Sequence, residues 1–276
     1  MTNYEKFIWW IEERYRVYIS KEVRGDSKPW SDDPTFRSTY FCNVHRENDR
    51  VSKWIRTNYA EKEVFKDLAG FNMIVARFVN KPSSLEEMGW PFRAWTVFEQ
   101  GAFQEVMSQP GSWGSAYIVS TNGRAMPKHD YISGLLSAAY SRFEQAGWAL
   151  PYLSLRTAHT ALQGLSGIAS FMAGQIVADL KNTKDHPLQS APDWWTFVAP
   201  GPGSLRGMAW VMEQPKVTPR WFDEQIGVLR KRVDTDLSKG VPTFCNQDLQ
   251  NSLCEFDKYM RVSTGAGRSK RKYAGA

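Results

Sequence analysis

From residue 247 the chain reads QDLQNSLCEFDKYM. Its apolar residues Leu249, Leu253, Phe256 and Met260 return at every third or fourth position. At 100° per residue they form one stripe on a helix, and no strand would bury them together. Asn251, Cys254, Glu255 and Lys258 turn away from that stripe. They either face solvent or line a polar cavity. An asparagine and a cysteine among the charges suit a cavity wall, and the residues alone leave both readings open.

Much of the remaining chain carries helical signals. Thr2 and Glu5 fit a capping box that opens a helix with Phe7, Ile11 and Tyr18 near one face and an end by Gly25. GDSKPWSDDPTFRST, residues 25–39, reads as a loop. Residues 43 to 59 read as a second helix, with Arg46, Asp49, Arg50 and Lys53 on one face and Val51 and Ile55 on the other. Further helices are expected at 62–81, closed before Pro82, in a short turn after Pro82, at 94–108, at 129–147 and from about 151. The stretch 111–128, with glycines and an Asn122-Gly123 turn, reads as a loop or a small hairpin. No internal repeat is present. These elements predict an all-α chain: one helical catalytic domain over 1–263 and a mobile basic tail over 264–276.

The 276 residues are 42% hydrophobic, enough for a sizeable core. No apolar run reaches the roughly 18 to 20 residues that span a bilayer. The charged N-terminus has no secretion signal, so a cytoplasmic protein without a membrane partner is expected. Three cysteines, Cys42, Cys245 and Cys254, are too few for a disulfide framework. Neither they nor the scattered histidines have zinc-ligand spacing. No cofactor is indicated, and a catalytic divalent ion stays open. The net charge of +6 favours a polyanionic partner such as nucleic acid.

Two turns suit phosphate. LSGIASFMAGQIVADL, from Leu165, resembles the helix-hairpin-helix of DNA glycosylases through Leu165, Gly167, Ile168 and Ala173, although Ala169 replaces its second glycine. Such a turn lets backbone amides and a helix N-terminus approach a DNA phosphate. Asp193 stands roughly where those enzymes carry an aspartate after the hairpin, with Asp185 as its rival. The second turn, Gly201-Pro202-Gly203 followed by Ser204 and Arg206, joins exposed amides to a hydroxyl and a guanidinium. An ordinary loop turn is the alternative reading in both places.

FCNVHRENDRVSKWI, FVNKPSSLEEMGWP, FVAPGPGSLRGM and QNSLCEFDKY, in this order, resemble the α-glutamyl/putrescinyl thymine pyrophosphorylase family. These are the amino acid:DNA transferases of phage thymine hypermodification. The resemblance implies a fold similar to helix-hairpin-helix DNA glycosylases and a double-stranded DNA substrate bearing pyrophosphorylated 5-hydroxymethyluracil. An amine, from an amino acid or a polyamine, replaces the pyrophosphate. A related helical domain is fused to the kinase that phosphorylates 5-hydroxymethyluracil in DNA, and this sequence has no GxxxxGK[ST] loop. On this reading Arg46, Arg50 and Lys53 neutralise the departing pyrophosphate. Asp49, Glu255 and Asp257 are candidates for receiving the amine's proton, and Lys258 is placed beside them. Cys254, near Lys258, is a candidate nucleophile, with Cys42 as its rival and small buried fillers as the alternative. Asn43, Asn80 and Asn251 are substrate-binding candidates. Gly167, Gly201, Gly203, Ser204, Arg206 and the tail residues Arg268, Lys270, Arg271 and Lys272 are expected to contact DNA. A true glycosylase using Asp193 and a non-catalytic DNA-binding partner of the kinase are the competing readings.

Overall fold

The computed structural model of the chain describes residues 1–60, 67–117, 119–146 and 153–267. Those residues form twelve α-helices and no strand, so the fold is all-α. The helices are α1 (Asn3–Tyr18), α2 (Pro34–Ser38), α3 (Arg50–Ala60), α4 (Ala69–Val79), α5 (Pro82–Glu87) and α6 (Val97–Ser108). They continue with α7 (Lys128–Gln145), α8 (Leu155–Gln163), α9 (Ser170–Leu180), α10 (Pro202–Val211), α11 (Pro219–Asp236) and α12 (Asn246–Ser263). The chain divides into two compact units. The first takes Met1–Asp49 and the chain from Trp195 onward, and the second is Arg50–Trp194.

In the first unit α1, α10 and α11 pack on α12. The Thr2–Glu5 capping box opens α1 as its sequence requires, and Gly25 ends the π-helical extension Ile19–Arg24 in the left-handed region, φ 74°. Leu249, Leu253 and Phe256 are fully buried against Phe7, Trp10 and Phe222. At Gly207 a Cβ would lie 1.9 Å from the Leu253 carbonyl oxygen, so only glycine lets α10 approach α12 this closely.

The loop expected at 25–39 contains a helix, α2. Asp33 caps it by accepting from the Thr35 and Phe36 amides, and Pro34 supplies its first turn. The helix expected over 43–59 begins only at Arg50. Residues 43–49 form a short 3-10 turn, Arg46–Asn48, between extended His45 and Asp49. Short polar side chains take the backbone groups a helix would use. The Asp49 carboxylate accepts from the Asn43 amide at 2.8 Å, and Asn43 Nδ2 donates to the Asn48 carbonyl at 2.8 Å.

In the second unit every residue of α4 is buried, and α7 and α9 pack on it. Two polar residues inside α4 are fully engaged. Asn72 bonds both ways with the Phe92 backbone, and Arg77 forms a buried pair with Asp179 of α9. The helix–turn–helix expected around 165–173 is present as α8, a turn and α9. Gly167 holds φ 80°, and a Cβ there would also meet the Leu135 side chain at 2.4 Å. The described residues of 111–128 form a loop with a turn at Asn122-Gly123, not a hairpin.

Candidate active site

A concentration of polar groups in the first unit lies where the extended segment after α2 crosses α12. The α12 face that turns from the core meets this segment residue by residue. Asn251 Nδ2 donates to the Asn43 carbonyl at 3.3 Å, Glu255 Oε2 accepts from the Cys42 amide at 2.9 Å, and Lys258 Nζ donates to the Tyr40 carbonyl at 3.1 Å. Asn251, Glu255 and Lys258 thus turn from the core onto the backbone of residues 40–43 rather than out to solvent. Glu255 and Lys258 pair at 2.5 Å. Burial lowers the Lys258 ammonium's pKa, but the Glu255 carboxylate together with the Cys42 and Cys254 sulfurs outweighs burial and leaves it raised.

Arg14 of α1 reaches the same segment from the other side. Its Nε donates to the Phe41 and Cys42 carbonyls at 3.1 and 3.0 Å, and Nη2 donates to Asn43 Oδ1. Nη1 is buried without a hydrogen-bond acceptor among the described residues. Arg14 is not among the sequence-derived candidates. A signal was available, since Arg14 follows Ile11 by three positions and precedes Tyr18 by four, so a charge sits inside the buried stripe of α1.

Asp49 is the carboxylate these groups surround. It keeps partial solvent contact, yet protein encloses it on most sides, and that desolvation raises its pKa from 3.8 to about 6. The Asn43 amide, Arg14 and Arg46 pull it down, and Glu255 pushes it up. Two carboxylates thus sit in contrasting environments. Glu255 is paired with an ammonium, while Asp49 is half-open with a proton affinity close to neutrality. Arg46 is buried, and its amide is fixed by Asp248 at 3.1 Å.

The helical face expected to align Arg46, Asp49, Arg50 and Lys53 does not form, because the chain is extended at Asp49. Arg50 and Lys53 are exposed on α3 in the second unit. Asp257 is not an available base either. It is 1% exposed and accepts from Arg206 Nε and Nη2 at 3.1 and 2.9 Å, Arg261 Nε at 3.2 Å and Trp210 Nε1 at 3.3 Å. Cys254 is solvent-accessible, but its crowded surroundings, then Glu255 and Asp257, push its thiol up to about 12 against Lys258 and Arg206. Lys258 does pull the thiol down as expected, but burial and the Glu255 carboxylate outweigh it. Cys42 is half-buried.

The remaining candidates have structural partners. The Ser204 hydroxyl is 2% exposed and closes the first turn of α10 with the Gly201 amide and carbonyl, at 3.0 and 2.9 Å. At Gly203 a Cβ would lie 2.5 Å from Cys254 Sγ, so this glycine serves the contact between α10 and α12. Asn80 ends α4 in the left-handed region and accepts from Arg77 at 3.1 Å. Asp193 accepts from the Leu155 and Arg156 amides at 2.7 and 3.0 Å and so completes the N-terminus of α8. Arg268, Lys270, Arg271 and Lys272 lie outside the described residues. Among the described residues no cluster of three His, Cys, Asp or Glu side chains could hold a metal ion. No described helix is long and apolar enough to cross a membrane.

A family described as 5-hmdU DNA kinase, helical domain, matches residues 2–269. The chain belongs to that family. It is 22% identical over 232 residues to a 5-hmdU DNA kinase of Bacillus phage SP10. That alignment covers 77% of this chain and 36% of the phage protein, so the chain spans about a third of its relative. No solved structure matches it. The family match places the chain with proteins of phage thymine hypermodification, the system to which its ordered motifs point.

Proposed function

We propose that the chain is a DNA-modifying transferase that exchanges the pyrophosphate of 5-(pyrophosphoryloxymethyl)uracil in DNA for an amine. The observation that carries this reading is Asp49, a half-open carboxylate of raised pKa held beside Asn43, Arg14 and Arg46. An amine attacks only as its free base, and Asp49 takes the proton as the carbon–nitrogen bond forms. Charge that develops on the departing pyrophosphate is met by guanidinium groups, Arg46 foremost and Arg14 behind it. Glu255 and Lys258 hold the backbone at Tyr40 and Cys42, and the buried Asn43 side chain ties Arg14 to the Asn48 carbonyl beside Asp49. The base is attacked outside the helical stack, where its 5-methylene is most open. An amino acid or a polyamine supplies the amine, in the cytoplasm of the phage's host.

The family match favours a second reading, in which the chain is a DNA-binding module working beside a 5-hydroxymethyluracil kinase without turnover of its own. Incubation of pyrophosphorylated DNA with a panel of amines, followed by nucleoside mass spectrometry, separates the two. The transferase yields aminated nucleosides and free pyrophosphate, and the binding module returns the DNA unchanged.

A further inference from the structure

The two closely packed helices of the first unit carry a second polar arrangement, apart from Asp49. Arg206 and Trp210 lie four residues apart on α10, and Asp257 and Arg261 lie four apart on α12. Each pair therefore shares one helical face. Gly203 and Gly207 allow the helices to close until these faces meet. Asp257 is then 1% exposed and takes donors from all three partners, both arginines on Oδ2 and the Trp210 indole on Oδ1. The arginine side chains stay open to solvent, at 53% and 38%, and so does part of Trp210, at 37%.

One buried carboxylate thus fixes two guanidinium groups and an indole at the surface, and the cluster keeps a net positive charge. A side chain left to solvent would lose rotamer freedom on meeting a ligand, and here that loss has occurred on folding. The chemistry that fits is an anionic strand with flat rings: a phosphate for the forks and a sugar or base for the indole.

We propose that Arg206, Arg261 and Trp210, held by Asp257, form the clamp that grips the DNA backbone, with Asp257 as its positioning residue. The proposal rests on the reading that DNA is the substrate, and it identifies the surface that holds it.

The test is fluorescence anisotropy with unmodified duplex DNA across a salt series, which reads no chemistry at the base. Arg261→Ala, a change at a half-exposed position, should weaken binding about tenfold near 0.1 M salt and lower the log–log salt slope by about one. Asp257→Asn separates the clamp from a merely basic surface. It adds positive charge, so simple electrostatics gives tighter binding, whereas loss of the carboxylate that orders both arginines gives weaker binding. Weaker binding by Asp257→Asn, with a native circular dichroism spectrum, supports the clamp. Equal or tighter binding overturns it, and so does an unchanged salt slope in Arg261→Ala should Asp257→Asn fail to fold. Because no amine or pyrophosphate enters this assay, a failed clamp leaves the transferase reading standing, and a failed transferase assay leaves the clamp result intact.

Discussion

Asp49→Asn should make the protein more stable and inactive at once. A carboxyl whose pKa rises from 3.8 in the unfolded chain to about 6 in the fold resists ionisation there. Above pH 6 that resistance costs about 3 kcal/mol of folding stability, because each tenfold change in proton affinity is worth about 1.4 kcal/mol. Asparagine carries no charge and still offers Oδ1 to the Asn43 amide, now 2.8 Å from the carboxylate. Its amide group needs a partner of its own, and partial solvent contact already screens Asp49, so a net gain of about 1 to 3 kcal/mol is expected. The sign follows from the raised value. The penalty is absent below pH 3.8, grows through the interval and is complete above about 6. Urea denaturation of both proteins should therefore show the gain at pH 7.5 and its shrinkage to well under 1 kcal/mol by about pH 4. Turnover should fall at least about 100-fold, as for loss of a general base. A variant less stable than wild type at pH 7.5, or a difference insensitive to pH, would mean that Arg14 and Arg46 satisfy Asp49 as an ordinary structural carboxylate.

The pH–rate profile of the wild type should rise with pH as free amine accumulates and should be steeper below pH 6, by a further factor of about ten per unit as Asp49 takes up its proton; an unbroken slope between pH 5 and 7 would remove Asp49 as the base. Arg14→Lys keeps a charge but cannot serve three acceptors on residues 41–43, so it should lose about 2 kcal/mol in urea melts and at least tenfold (~10) in turnover. Gly207→Ala drives a methyl group into the Leu253 carbonyl and should cost about 2 to 3 kcal/mol, measured by the same melts. Despite its exposure, Cys254 should react with iodoacetamide at pH 8 more than about tenfold slower than a free thiol, and Cys254→Ser should keep turnover. Asp193→Asn should lose about 1 kcal/mol by weakening the start of α8 and create no change in abasic-site yield; a fall in that yield would restore the glycosylase reading.

The sequence made α12 readable because four apolar residues at helical spacing admit one answer, and the opposite face carries the polar residues that meet the backbone of residues 40–43. The capping box at Thr2 was equally plain. The break at 43–49 was not, since Asn43 and Asp49 are compatible with helical periodicity until their side chains are seen on backbone groups five and six residues away. Asp33 and Pro34 carried a helix-start signal inside a stretch whose composition reads as loop. Asp257 and Glu255 are two positions apart and look alike in sequence. Only the approach of α10 shows that one is sealed beneath two arginines while the other supports the Asp49 site. The α1 periodicity marks Arg14 as a buried charge but does not name its partners, since its acceptors lie 27 to 29 residues on, brought to it by the return of the chain.

Nucleoside mass spectrometry of pyrophosphorylated DNA, treated with wild type or Asp49→Asn in the presence of amines, tests the central claim most directly. The account predicts aminated thymine nucleosides, intact glycosidic bonds and stoichiometric pyrophosphate from the wild type, with none from Asp49→Asn. Abasic sites, unchanged pyrophosphorylated nucleoside from the wild type, or full activity of Asp49→Asn would contradict it.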